Sequence, residues 1–355
     1  MRLILQLCQK VYINPFTTLS MHAGRRYTLK EFLLWTRQNI YWLLAINTSV
    51  TILYEVVGLN WIGIPWVPIA LLGTATAFIV GFRNNATYAR AWEARQIWGG
   101  IVNSSRTLGI MIRDFIRNPV SSDADSGALH QQLIYRHIAW LTALRFQLRE
   151  PRAWENLQKG YNIEYRQHYS IPEHESNLAD ELKRFLSTQE VDYILSKKNR
   201  ATQLLAQQSK QFRELADQEW IDNYRYVELE LLLKELYEHQ GKCERIKNFP
   251  YPRQFATISQ MFTRLFVWLV PFGLLKEFDK LGEHIVWLTV PFGALVSWVF
   301  MTLEQVGESS ENPFEGGAND TPITSMSRTI EIDLREMLDE TNLPPAVTAV
   351  NNILM

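Results

Sequence analysis

Three side chains at four-residue intervals give this sequence its most suggestive chemical feature. Thr74, Phe78 and Phe82 follow one another at a spacing that aligns them along one face of a helix. Rings of apolar side chains around a narrow aqueous passage obstruct ions by dewetting, so the stripe is a candidate hydrophobic constriction. The alternative is that the three side chains pack against another helix of the same chain, and the spacing alone favours this alternative.

Small residues on the other faces of the same helix help to decide between a pore constriction and packing within the chain. They indicate close packing against neighbouring helices and comprise Gly73, Ala75, Thr76, Ala77 and Gly81. If neighbouring helices occupy those faces, the aromatic stripe is left to face something else. A pore constriction is then the candidate.

Four apolar runs provide the elements that would position this stripe. They cover residues 38–54, 56–82, 254–275 and 285–303. A helix needs about 20 apolar residues to cross the hydrocarbon core of a bilayer, so the first two runs form one hairpin and the last two another. Buried helices of a soluble protein are the alternative, but the short connections and the tryptophans near the ends of the runs favour four membrane spans.

The second run passes into polar sequence without a turn signal. The stretch GFRNNATYARAWEAR, which begins at Gly81, contains no helix-breaking residue, and its alanines are strong helix formers. We therefore expect one long helix that leaves the membrane and continues into a cytosolic helical domain. In an oligomer such a helix suits a pore lining, apolar in the membrane and polar below.

Lysines and arginines set the expected orientation. They are frequent before residue 38 and after Phe82 but absent from the first connecting loop, which predicts cytoplasmic termini in a multi-pass protein of the plasma (inner) membrane. The predicted segments are a cytosolic N-terminal segment (1–37), a first transmembrane hairpin with a pore-lining second helix (38–95), a cytosolic helical domain (96–253), a second transmembrane hairpin (254–303) and a cytosolic C-terminal segment and tail (304–355).

Composition argues against several other classes of protein. The 36 basic and 37 acidic residues leave a net charge of −1, which argues against a nucleic-acid partner. Cys8 and Cys243 lack a neighbouring cysteine, the histidines form no HExxH motif, and no glycine-rich phosphate loop is evident. We therefore expect neither an enzyme nor a cofactor. A membrane scaffold that conducts no ions is the alternative of another class.

Two segments resemble the bestrophin family, in particular its bacterial branch. They are GFRNNATYARAWEARQIWGGIVNSSR and SENPFEGGANDTPITSMSRTIEIDL. The resemblance implies an all-α membrane protein with four spans and a large cytosolic helical domain, assembled as a homopentamer around a central pore. It also implies a neck formed by Thr74, Phe78 and Phe82, with threonine in place of the usual isoleucine, and a cytosolic aperture at Val227.

The sign of the permeant ion depends on charges near the expected pathway. Glu93 lies below the neck, and Glu228 and Glu230 lie beside the aperture, so these acids give a weak preference for monovalent cations such as Na⁺ and K⁺. Arg83, Arg90 and Arg95 are close by, and packing salt bridges are the alternative role for Glu93 and Arg90. The best-known members of the family pass chloride, which makes an anion channel the alternative function.

Calcium is the remaining ligand that the resemblance raises. Animal members of the family bind it through acids that follow Asn-Pro-Phe, where this chain offers Glu315, Asn319 and Asp320. Calcium takes six to eight oxygen ligands, and glycines replace further acids here. We therefore expect no metal site and interpret Glu315 and Asp320 as solvated loop acids.

Overall fold

α-Helices form nearly all of the regular structure. The structure is a computed structural model that describes residues 28–117, 123–282 and 284–355. Within these ranges there is no β-strand, and the α-helices are α1 (Leu29–Glu55), α2 (Trp66–Phe115), α3 (Asp123–Arg149), α4 (Gly160–Tyr165), α5 (Pro172–Glu175), α6 (Leu178–Leu182), α7 (Thr188–Leu195), α8 (Arg200–Asp217), α9 (Asn223–Asn248), α10 (Arg253–Asp279), α11 (Thr289–Ser309) and α12 (Ile323–Glu336). Most of the predicted N-terminal segment 1–37 lies outside the described residues.

The predicted continuation of the second apolar run is confirmed. α2 is one helix of 50 residues, which at 1.5 Å per residue is about 75 Å long. Its lower half is surrounded by protein, because Trp98, Ile101 and Ile112 are fully buried in the largest hydrophobic core. One element therefore connects the apolar region that carries the stripe to the centre of the polar domain.

Three stretches of the described chain are long and apolar enough to cross a membrane. They are Trp66–Phe115, Arg253–Asp279 and Ile285–Ser309, in line with three of the four predicted runs. α1, which contains the run 38–54, is not among them, because asparagine, serine, threonine and tyrosine residues lower its hydropathy. α1 nevertheless packs beside α10 and α11, and Trp42 and Leu53 are exposed on its surface.

Close contacts hold the membrane-type helices together. α2 packs against α10 and α11, and α11 packs against α1. At the α1–α11 crossing the buried Asn47 side chain lies directly over Gly293, where an added Cβ would stand 2.9 Å from Asn47 Cγ. Only a residue without a side chain permits this approach, as is common where membrane helices cross.

The large core lies in the cytosolic part predicted from the polar middle of the sequence. α3 packs against α8, α8 against α9, and α9 and α12 against the lower half of α2. Three of the predicted segment boundaries (37/38, 95/96 and 303/304) fall within the continuous helices α1, α2 and α11. α10 continues to Asp279, four residues beyond the end of the third apolar run at residue 275.

Candidate functional site

The aromatic stripe lies on the open side of α2. Phe78 is 64% exposed and Phe82 72% exposed, so no element within the described ranges covers them. Thr74 is also exposed, and its hydroxyl donates to the carbonyl oxygen of Ala70 at 3.0 Å. Among the described residues, the alternative that the stripe packs against a helix of the same chain finds no support for either phenylalanine.

The small residues of α2 are divided between two environments. Gly73 and Thr76 are buried, as predicted, and Gly73 lies under the Phe266 ring of α10. Ala75, Ala77 and Gly81 are exposed, so no helix within the described ranges packs on them, and their packing against neighbouring helices stays a prediction. The reason is that α10 and α11 cover one side of α2 only.

A groove with a volume of about 940 Å³ runs along the exposed edge of α2. Phe266 and Phe300 form one wall of the groove, and its lining residues on α2 include the stripe itself, Thr74, Phe78 and Phe82, together with Gly73, Ala77 and Gly81. The stripe thus lines a concave, mainly apolar surface that the described residues leave unfilled.

Val227 begins an exposed stripe in the helical domain formed by the polar middle of the sequence. It lies in the first two turns of α9, which Asp222 caps by accepting from the Arg225 backbone N–H. Val227 is 53% exposed and Leu231, four residues later, is 52% exposed. α9 packs along the lower half of α2, so this apolar pair stands at a different level of the molecule from Phe78 and Phe82.

The three predicted vestibule acids differ in their surroundings. Glu93 forms an ion pair with Arg245 of α9, as the salt-bridge alternative for this residue anticipated. Glu230 is half-buried and accepts from the Ser209 hydroxyl at 3.1 Å. Glu228 is exposed and has no ion-pair partner within the described ranges. Within the described ranges neither Glu228 nor Glu230 forms an ion pair, and Glu228 is the more exposed of the two.

A cluster of buried charges that sequence reasoning missed lies directly below Phe82. Arg83 is 2% exposed and contacts Glu304 near the end of α11 and Glu311 just beyond it. Arg253, at the start of α10, contacts the other carboxylate oxygen of Glu311 at 2.7 Å. The signal in the sequence was the spacing of acids at 304, 308 and 311, which lines one face at the end of an apolar helix.

The segment after Asn-Pro-Phe is organised by Asp320. Its carboxylate accepts from the backbone N–H groups of Phe314, Gly316 and Thr321 at 2.6–2.7 Å, and from Arg149 Nη1 at 2.8 Å. Asp320 is 8% exposed, so its interpretation as a solvated loop acid is wrong. The loop folds inward because backbone donors and a guanidinium replace water around this carboxylate.

Glu315 is buried as well, at 2% exposure, which contradicts the same interpretation. Burial raises its pKa to about 8, although the Asn156 backbone N–H donates to it at 3.0 Å. Asn319 is exposed and stands apart. Within the described ranges no cluster of three or more acids, histidines or cysteines could hold a metal. The carboxylate of Asp320 is thus already held by four protein donors, and burial disfavours the ionised form of Glu315.

Comparison with known proteins agrees with this architecture. The family model described as Bacterial/Fungal Bestrophin protein matches residues 34–336. A voltage-dependent anion channel-forming protein of Escherichia coli K12 is 26% identical over 307 residues, which cover 86% of this chain and 88% of the relative. A protein of the same name from Ralstonia nicotianae is 26% identical over 308 residues, covering 86% and 83%.

Solved structures extend the similarity to the fold. The crystal structure of a bacterial bestrophin homologue from Klebsiella pneumoniae superimposes with a TM-score of 0.70 and 25% sequence identity. The superposition covers 87% of this chain and 99% of that one. The helical arrangement described above is thus shared over nearly the whole of that structure.

Proposed function

Because this chain belongs to the bacterial and fungal bestrophin family, we propose that it forms a passive channel for monovalent ions. The observation that carries the proposal is the exposure of Phe78 and Phe82 on a helix that is apolar enough to cross a membrane. Exposed aromatic side chains on one helix can form a constriction when several copies of that helix surround a common axis. The names of the relatives, which describe channel-forming proteins, support the same reading.

The neck of this channel is assigned to Thr74, Phe78 and Phe82. The two phenylalanine rings form the dry part of the constriction, and Thr74 forms a wetter outer ring because its hydroxyl can bind water. Val227 forms a second, cytosolic aperture. Ions pass both constrictions without chemical conversion, so the proposed activity requires no cofactor.

Five copies are proposed to form the ring, as the resemblance implies. A single α2 cannot enclose a pore, and its exposed edges are unlike: one borders the groove beside Phe266, and the other carries Ala75 and no groove residue. Contact between two unlike edges is head-to-tail, and such contacts generate closed rings when the rotation closes. The partners of the chain are then its own copies and the lipid bilayer.

α1 is proposed as the fourth span. It lies beside α10 and α11 and exposes Trp42 and Leu53, which suits contact with lipid on one side. Four spans give two hairpins with both termini in the cytoplasm, and the segment boundaries stay as predicted above. The bacterial relatives support placement in the inner membrane.

Anions are the permeant ions that the relatives favour, since both carry the words anion channel-forming in their names. The expected preference for cations loses part of its basis, because Arg245 compensates the charge of Glu93. Cation permeation remains the second candidate, and it rests on Glu228, whose carboxylate is exposed and unpaired among the described residues.

Flux through liposomes tests the channel itself. The purified protein is reconstituted, an ion gradient is imposed, and collapse of the gradient is followed with a fluorescent indicator against protein-free liposomes. We expect collapse that needs no energy source. Protein that is inserted and folded but leaves the gradient intact would be the non-conducting scaffold of the alternative reading.

The reversal potential in a chloride salt gradient distinguishes the two candidate ions. A potential near that of chloride supports the proposed anion selectivity. A potential near that of the cation transfers the assignment to the second candidate while the channel function stands.

A further inference from the structure

Arg83 follows the last neck residue directly and faces the opposite way. Successive residues of an α-helix are about 100° apart around its axis, so Phe82 and Arg83 cannot share a face. Phe82 is 72% exposed, whereas Arg83 is 2% exposed and lies against α11. The orientation of one side chain therefore determines the orientation of the other.

The Arg83 guanidinium bridges two carboxylates. Its Nη1 contacts Glu304, and its Nη2 lies 2.7 Å from Glu311 Oε2. Arg253 Nη1 lies 2.7 Å from the remaining oxygen of Glu311, so the network extends to the start of α10. The network joins α2, α10 and α11 at the level immediately below the neck.

A second set of contacts holds the same acidic face of α11. Glu308, one turn after Glu304, contacts Lys159 and accepts from the Tyr161 hydroxyl at 2.6 Å. Gln260 of α10 donates to its other oxygen at 2.8 Å. These contacts hold the end of α11 from several sides, so the carboxylates that Arg83 contacts are themselves fixed in position.

A gain in the stability of the folded protein does not explain why this cluster of charges is buried. Glu304, Glu308 and Glu311 are each at most 9% exposed, and the desolvation of buried charges offsets most of their mutual attraction. A planar guanidinium can hold two carboxylates in a fixed geometry, whereas a lysine ammonium is a point charge on a flexible stem. The contacts therefore specify one arrangement of the helices more than they add to their stability.

We propose that Arg83 is the positioning residue of the neck: its bridge to Glu304 and Glu311 fixes the rotation of α2, and thereby the distance between the phenylalanine rings of neighbouring copies. The inference rests on the proposed channel function and adds a determinant of ion size that lies outside the pore wall. Arg83 touches no permeating ion in this account and acts only through α2.

The test measures how ions of different size pass the neck. Flux of a large organic ion is divided by flux of a small ion of the same sign, in liposomes that contain the native protein, Arg83→Lys or Glu304→Gln. Arg106→Lys is the matched control, since Arg106 lies lower on the same helix and pairs with Asp333 at 2.7 Å. Thermal unfolding and oligomer mass are recorded for every variant.

Arg83→Lys is expected to change the large-to-small flux ratio by roughly tenfold, which corresponds to about 1.4 kcal/mol. Glu304→Gln, which keeps the contact between Arg83 and Glu311, is expected to produce a smaller change of the same sign. Arg106→Lys is expected to leave the ratio unchanged. A merely structural role would lower stability in all of these variants without altering the ratio.

An unchanged ratio in folded Arg83→Lys overturns the inference and leaves the channel function standing. If Arg83→Lys does not fold, Glu304→Gln decides in the same way. Absence of flux through the native protein is a separate outcome, because it contradicts the proposed function before any variant is compared.

Discussion

At the scale of single residues, charge and exposure separate side chains that the sequence presents as equivalent. Glu93 and Glu228 are both acids near the expected pathway, yet only Glu93 has a cationic neighbour, Arg245. A compensated pair contributes little field at a distance, whereas a single exposed charge attracts ions of opposite sign within a Debye length. We therefore expect any electrostatic preference of the proposed vestibule to come mainly from the exposed Glu228, with a smaller contribution from the half-buried Glu230.

Glu228→Gln is accordingly expected to lower the ratio of cation to anion permeability by about twofold at 0.1 M salt. The effect should nearly vanish at 1 M salt, where the screening length falls from about 10 Å to about 3 Å. The double variant Glu93→Gln with Arg245→Gln removes a neutral pair and should leave the ratio as it is. Reversal potentials at both salt concentrations measure these effects, and a larger response from the double variant would refute the assignment.

His137 gives a prediction for stability against pH. Burial lowers its pKa from the ordinary 6.5 to about 3, and its Nε2 lies 2.9 Å from the Ser105 hydroxyl. Between these two pKa values the unfolded chain binds one proton more than the folded chain, so stability rises with pH across this window. The slope from this residue is at most about 1.4 kcal/mol per pH unit.

His137→Gln should therefore flatten the dependence of the unfolding free energy on pH between 4 and 6.5, relative to the native protein. Thermal or denaturant unfolding in detergent at several pH values provides the measurement. Since other groups titrate equally in both proteins, the difference between the two curves isolates His137. Parallel curves would show that the imidazole is protonated in the folded protein.

At the scale of elements, α2 is the helix on which the proposed function depends most. Its continuity through 50 residues links the neck to the cytosolic core, and its membrane half is covered on one side only. The covered side depends on glycines, because bulky side chains from neighbouring helices lie directly on them. The same construction holds α1 against α11 through Gly293 and Asn47.

Gly293→Ala tests the α1–α11 crossing. The new Cβ would overlap Asn47, whose side chain is fully buried and donates to the Leu43 carbonyl oxygen at 2.8 Å. Overpacking of this kind costs about 1–3 kcal/mol, so the unfolding temperature in detergent should fall. Gly127→Ala in α3 is the control, since nothing lies within 4 Å of its added Cβ, and better helix propensity should raise stability by up to about 1 kcal/mol. Equal stabilities for the two variants would contradict the described crossing.

The sequence predicts elements well where the evidence for them is local. The apolar run ending at Phe82 and the alanine-rich stretch after it specify one helix, and the structure contains that helix. The exposure of Ala77 and Gly81 was not predictable, because small residues mark a close approach without saying whether the partner is the same chain or another copy.

Long-range contacts explain the remaining errors. Asp320 meets Arg149, 171 positions earlier in the chain, and Arg83 meets Glu304 221 positions later. No periodicity in either segment predicts a partner that lies so far away along the chain. The sequence alone therefore predicts that Glu315 and Asp320 are solvated, although the fold supplies donors that make their burial possible.

At the scale of the whole molecule, the most informative feature is an apolar surface that the described residues leave exposed. Phe78, Phe82 and the rest of the groove together form an apolar surface of the kind that marks contact with lipid or with another protein. Unlike edges on α2 favour a ring over a two-fold pair. We expect mass measurement in mild detergent to give five copies, whereas a stable monomer under those conditions would contradict the assembly.

Ion flux through liposomes containing the native protein or the double variant Phe78→Ala with Phe82→Ala tests the central claim most directly. If the stripe is the narrowest and driest part of the pathway, removing both rings widens and wets it, and flux per folded oligomer should rise several-fold. The oligomer mass and unfolding temperature of the variant must match those of the native protein. Equal flux from two intact proteins would show that Phe78 and Phe82 pack against lipid or a neighbouring subunit and do not line the ion pathway.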